Sequence, residues 1–173
     1  MTRSRRRWPV PWLIAAALAV VLIVSRGGGD GKPELSGAPT ATVQRVVDGD
    51  TVRLAGLGPV RLIGINTPEV YGHLQCYGPE ASAFAKHALR RGLRVRYRVG
   101  REARDRYGRL LAYVWLPDGR LFNRLLAEDG YAVPLTIRPN DQLAGTFRAA
   151  VADARRAHRG MWAHPGCAPS RRR

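Results

Sequence analysis

The sequence predicts an α+β, mainly β fold: a five-stranded OB-fold barrel with three helices, preceded by an N-terminal hydrophobic anchor helix. Three observations lead there. The elements run three strands, helix, two strands, two helices, so one helix alone stands between strands, too few for a parallel βαβ sheet. The strands are short and separated by turn signals, as in a small Greek-key barrel. A cluster of arginines followed by the uncharged run Trp8–Ser25 stands apart from everything after it.

The segments follow in chain order. Residues 1–8 form a basic cytoplasmic flank carrying Arg3, Arg5, Arg6 and Arg7. Residues 9–25 are apolar, longer than a usual signal-peptide core and slightly short of the ~20 residues that span a bilayer. No A-x-A site precedes Arg26, which favours a retained single-pass anchor over a cleaved signal. Basic residues ahead of the run keep that end cytoplasmic and place the rest outside, tethered or secreted. Residues 26–39 are a Gly- and Pro-rich linker, residues 40–164 the folded domain, and residues 165–173 a basic tail.

Within the domain, "TATVQRVV" and "TVRL" are β-rich and joined by "DGD", a hairpin signal. "VRLIGI" is the third strand, an apolar run broken by Arg61. "YGPEASAFAKHALRRG" is a helix with Pro79 in its first turn, an apolar face of Ala81, Phe84, Ala85, Ala88 and Leu89, and Gly92 at its end. "LRVRYRV" alternates, with Leu93, Val95, Tyr97 and Val99 on one side. "RDRYGR" is a turn and "LLAYVWL" the fifth strand. "LFNRLLAEDG" and "DQLAGTFRAAVADARRAHRG" are amphipathic helices, each closed by Gly.

Charge and cysteines narrow the function. The 173 residues carry a net charge of +16, and residues 33–173, with 23 basic and 12 acidic side chains, keep +11 of it. A domain that basic attracts polyanions such as nucleic acid or an anionic membrane surface, unless the charge serves solubility alone. The two cysteines, Cys76 and Cys167, lie too far apart for redox or zinc spacing; in an exported domain they are expected to form a disulfide.

Arg61 poses the chemical question. A guanidinium in a covered strand needs an anion, because an unpaired buried charge costs several kcal/mol. Just beyond it lie Asn66, Thr67, Pro68 and Glu69; Asp48 and Asp50 sit in the first turn and Arg109 in a later one. An EF-hand loop is excluded, since Val52 and Arg53 occupy positions that need Asp/Asn and Gly. Asp50, Asn66 and the Thr67 carbonyl offer oxygen to a hard cation, two arginines can grip a phosphate, and Glu69 can activate water. His73, His87, His158 and His164 have no ligand-like spacing.

These residues resemble the thermonucleases, the staphylococcal nuclease family, through "DGDT", "VRLIGINTPE", "YGPEASAF", "DRYGRLLAYVW" and "RRAHRGMW" in the family's order. The resemblance spans about Thr40 to His164. It implies an OB-fold barrel with three helices and calcium-dependent phosphodiesterase activity on DNA and RNA with little sequence preference. Cleavage at the bond to the 5′ oxygen would leave 3′-phosphates. By the same resemblance Asp50, Asn66 and Thr67 are the Ca²⁺ ligands, Arg61 and Arg109 hold the scissile phosphate, and Glu69 is the general base. No obligate protein partner is implied.

Two positions depart from the family's pattern. Asn66 stands where a second metal-binding aspartate is expected, removing one negative charge. "YAVPLTIRPN" places Leu135, Thr136 and Ile137 where base-stacking tyrosines are expected. The alternatives to a nuclease are a nucleic-acid-binding OB module with weakened catalysis and, last, a basic envelope protein that has no use for the Asp50, Glu69 and Arg109 set.

Overall fold

The computed structural model describes residues 37–167. The expected anchor at residues 9–25 lies outside them, and among the described residues no helix is long and apolar enough to cross a membrane.

Five strands close into a barrel in the order β1-β2-β3-β6-β5. They are β1 (Thr40–Val46), β2 (Thr51–Leu54), β3 (Gly58–Leu62), β5 (Arg94–Arg104) and β6 (Leu110–Trp115). All neighbours are antiparallel except β3 and β6, which run parallel. Closure removes the exposed edges that a short five-stranded sheet would otherwise present. Alternate residues point inward, so Val43, Leu54, Val60, Leu62, Val95, Ala112 and Val114 fill the interior and are buried.

The third strand is not continuous. The sequence reads "VRLIGI" as one apolar run, but the chain turns at Gly64 (φ +86°) and resumes as a short β4 (Ile65–Asn66) paired with β7 (Val133–Pro134). Only glycine fits there: a Cβ would lie 2.1 Å from the Phe147 ring. Asn123, fully buried, ties the break in place by donating to the carbonyls of Ile63 and Ala112 and accepting from the Val114 N–H.

Three helices cover the barrel: α1 (Gly78–Ala88), α2 (Phe122–Glu128) and α3 (Ala144–Arg156). Each presents the apolar face its periodicity requires, with Ala81, Ala85 and Leu89 buried around α1, Phe122 and Leu126 on α2, and Phe147 and Val151 on α3. Pro79 stands in the first turn of α1, where its missing N–H costs nothing. Tyr77, just before that helix, stacks on Tyr131 and lies against the ring of His164, which is itself exposed.

Cys76 and Cys167 form a disulfide with Cα atoms 5.0 Å apart, closing a loop of 91 residues. It joins the segment before α1 to the chain end beyond the 3₁₀ turn Gly160–Ala163. Chain entropy for a loop of that length sets an upper gain of about 4–5 kcal/mol. Reduction, or the Cys76→Ser/Cys167→Ser variant, is therefore expected to lower the urea midpoint clearly; an unchanged midpoint would remove the bond from the stability of the domain.

Candidate active site

A cleft of about 500 Å³ opens where the β1–β2 turn, the end of β3, the β5–β6 turn and the segment after β7 meet. Asp50, Arg61, Asn66, Glu69 and Arg109 all line it, although as many as 59 positions separate them in sequence. Thr67 lies buried directly behind, within hydrogen-bond reach of Asp50.

Arg61 and Asp50 are bound to each other. The Arg61 Nε stands 3.0 Å from Asp50 Oδ1, and both side chains are about one-tenth exposed or less. The other nitrogens of Arg61 donate to the carbonyls of Leu62 (2.6 Å) and Ile65 (2.9 Å) and to Asn66 Oδ1 (2.8 Å). Four of its five N–H groups are thereby engaged by the protein. The anion nearest Arg61 is thus Asp50, and a single N–H remains for anything entering the cleft.

Asp50 is equally committed. Its Oδ2 accepts from the Thr67 N–H at 2.8 Å and the Thr67 hydroxyl at 3.1 Å, and its Oδ1 from the Thr51 hydroxyl at 3.3 Å. Gly49 permits this approach, because a Cβ there would sit 2.6 Å from Thr67 Oγ1. The Asp-Gly-Asp turn is therefore more than hairpin chemistry: its glycine lets the Thr67 segment close against Asp50. Asn66 uses both ends of its amide, accepting from Arg61 and donating to the Thr67 carbonyl at 3.2 Å.

Glu69 differs from these. It is exposed, and among the described residues its carboxylate has no hydrogen-bond or ion-pair partner. Its backbone is clamped instead: the Glu69 N–H donates to Gln75 Oε1 at 3.1 Å, and its carbonyl accepts from the Gln75 N–H at 3.0 Å. Gln75 adjoins Cys76, so the disulfide anchors the loop that presents Glu69.

Arg109 stands on the opposite wall, at the β5–β6 turn. Asp105 orients it, accepting from the Arg109 Nε at 2.8 Å and from its backbone N–H at 2.9 Å. Burial pushes the Asp105 carboxyl up, but the Arg109 side chain and backbone and the Tyr107 N–H overcome this and hold it below its ordinary value. With Nε taken, the two terminal nitrogens remain, and one of them donates weakly to Thr51 Oγ1 at 3.4 Å. Thr51 thus connects the Arg109 wall to the Asp50–Arg61 pair.

Two lining residues, Tyr107 and Asn140, escaped the reading of the sequence. Tyr107 is exposed at the cleft, with Arg106 and Arg109 over its ring; its signal was the "DRYGR" turn itself. Asn140 is buried and bonds both backbone groups of Glu102, fastening the Leu135–Ile137 segment to β5. Leu135 and Ile137 lie exposed at the rim, where an aromatic side chain is absent.

The family model for staphylococcal nuclease homologues matches residues 59–164. The chain belongs to this family. A thermonuclease of Staphylococcus intermedius is 39% identical over 160 residues, covering 87% of this chain and 94% of the relative. A thermonuclease of Staphylococcus hyicus is 35% identical over 162 residues, covering 88% and 95%. Endonuclease YhcR of Bacillus subtilis is 35% identical over 145 residues, covering 75% of this chain and 12% of that larger protein. The matched span starts at β3 and takes in Arg61, Glu69 and Arg109, while Asp50 lies before it.

The donors around Asp50 suit a hard cation in kind: a carboxylate, an amide oxygen and a backbone carbonyl, all oxygen. Among the described residues no group of three or more His, Cys, Asp or Glu could hold a metal, so beyond the Asp50 carboxylate such a site would draw on neutral oxygens and water.

Burial pushes the Asp50 carboxyl up to about 6, against the pull of Arg61 and the Thr67 N–H. Because that lies above the ordinary value of 3.8, the stability from Asp50 is fully present below about pH 3.8 and is lost as pH rises through about 6. The stability of the parent relative to Asp50→Asn should therefore fall between pH 4 and pH 7 in urea unfolding without metal. A parent that gains stability relative to the variant over that range would show that pairing with Arg61 outweighs burial.

Proposed function

We propose that the chain is an exported, membrane-tethered, calcium-dependent endonuclease that hydrolyses DNA and RNA with little sequence preference and leaves 3′-phosphates. Its enzyme class is the family's: a nuclease, a hydrolase of phosphodiester bonds. The observation that carries the finer reading is the convergence of Glu69, a carboxylate without a partner among the described residues, and a preoriented guanidinium, Arg109, on one cleft beside oxygen donors. Export and tethering are supported by the basic cluster and the uncharged run after it.

The chemistry assigns each side chain a task. Arg109 grips two phosphate oxygens with its terminal nitrogens while Asp105 holds the fork still, and the remaining N–H of Arg61 adds a contact. Glu69 takes a proton from a water that attacks phosphorus opposite the 5′ oxygen. The P–O5′ bond breaks, the 5′ oxygen gains a proton from solvent, and the phosphate stays on the 3′ oxygen. Charge growing on the phosphoryl oxygens meets donors already in place, the largest usual source of stabilisation. Asp50, Asn66 and the Thr67 carbonyl would hold Ca²⁺, which when bound supplies positive charge against the phosphate.

A second reading, a nucleic-acid-binding module with weak catalysis, is favoured by one observation: the oxygens of Asp50 and Asn66 are already engaged by Arg61 and Thr67. DNA and RNA incubated with the protein, with and without calcium, separate the two. Cleavage only with calcium supports the enzyme; retardation without cleavage supports the module.

Arg109→Ala is expected to lower the cleavage rate by roughly 10²-fold, the usual effect of losing one transition-state donor. Circular dichroism should stay unchanged, because the Arg109 backbone N–H keeps its bond to Asp105. Parent-like cleavage would remove Arg109 from the phosphate grip.

Asn66→Asp tests the metal site. It adds a carboxylate beside Asp50 but loses the donor to the Thr67 carbonyl, so the calcium concentration for half-maximal rate should fall while metal-free stability drops slightly. An unchanged calcium midpoint would mean that Asn66 serves only the turn before Pro68.

A further inference from the structure

A second basic surface lies away from the cleft. Strands β1 and β2 pair with Arg45 directly opposite Arg53. Like charges so placed destabilise an antiparallel pair. Among the described residues no carboxylate forms an ion pair with either arginine. This opposition thus has no carboxylate among the described residues to offset it.

Beside Arg45 an open groove of about 710 Å³ runs between β1 and the C-terminal end of α1. Val43, Val46 and Leu89 contribute to its apolar floor, and Arg45, Lys86 and Arg91, all exposed, supply its charge. The groove and the cleft share no lining residue. They are nonetheless joined by the end of β1 and the turn after it: Arg45 precedes Asp48 by three residues, at most about 10 Å of chain.

We propose that this groove is an auxiliary site for the phosphate backbone of a long polynucleotide, continuing the substrate's path out of the cleft. The polyanion's identity rests on the nuclease reading above. Cations on the rim meet phosphates, while the apolar floor accepts sugar and base faces. A lipid surface fits less well, because the apolar part of this site is a recessed floor, whereas insertion into a bilayer uses protruding apolar side chains. The exposed large apolar side chains among the described residues are Tyr71, Leu74, Val99, Tyr107, Leu135 and Ile137, and none lines the groove.

The test compares the full-length parent with Arg45→Gln/Lys86→Gln/Arg91→Gln. Cleavage of long duplex DNA and of a trinucleotide is followed at several salt concentrations, and binding of a labelled oligonucleotide about thirty nucleotides long is read in EDTA by anisotropy. The variant should show a KM for long DNA raised about tenfold at low salt, with kcat and the trinucleotide kinetics unchanged. The salt slope of oligonucleotide binding should fall by about 2 to 3, roughly one per lost phosphate contact. Equal effects on both substrates, or no effect on long DNA and oligonucleotide binding, would overturn the proposal. Lost binding to phosphatidylserine vesicles with unaltered DNA behaviour would overturn it too, in favour of a lipid. A parent that binds the oligonucleotide but cuts neither substrate would overturn the nuclease reading alone, since the anisotropy comparison still decides the groove.

Discussion

The buried ion pair between Arg61 and Asp50 is the constraint around which the cleft is organised. Placing both charges in the barrel wall is tolerable only because each is also hydrogen-bonded, Arg61 by two carbonyls and an amide, Asp50 by the Thr67 N–H and two hydroxyls. Those bonds tie the β1–β2 turn, the end of β3, β4 and the Thr67 segment into one unit. Losing either partner would strand a charge in a poorly solvated site, a loss of about 3–5 kcal/mol. The pair thus specifies where the segments meet more than it adds to net stability.

Around that rigid centre Glu69 and Arg109, the two groups to which the proposed chemistry is assigned, are held by their backbones or by one orienting carboxylate. Gln75 clamps the main chain of Glu69 and leaves its carboxylate to solvent. Asp105 fixes Arg109 through Nε and leaves the end of the fork open. A group meant to meet a ligand needs unspent donors or acceptors, and these two have them. Arg61, with four N–H groups engaged, contributes position more than binding capacity.

Charge acts on a longer scale. A net +11 on residues 33–173 draws polyanions from several ångströms away and weakens with salt, whatever the details of the cleft. The Arg45–Arg53 opposition and the Lys86–Arg91 rim place part of that charge on a definite surface. Long-range attraction and local chemistry are thereby carried by different parts of one small barrel.

Much of this was legible in the sequence. The five barrel strands, the three helices and the apolar faces of α1 and β5 follow from periodicity and turn residues, because side-chain burial repeats with the backbone's own period. The family could be read from short motifs kept in order, and the same motifs named Asp50, Arg61, Asn66, Thr67, Glu69 and Arg109. Other features were decided only by tertiary structure. The break at Gly64 depends on where the Phe147 ring lies, 83 residues away. The anion beside Arg61 is Asp50 because pairing β2 with β3 sets Thr51 opposite Arg61. Asn140, Tyr107 and the groove beside Arg45 come into view only once loops from distant elements converge. Local periodicity reports which face of an element is buried; it carries no record of what that face meets, and the chemistry of this cleft lies in those meetings.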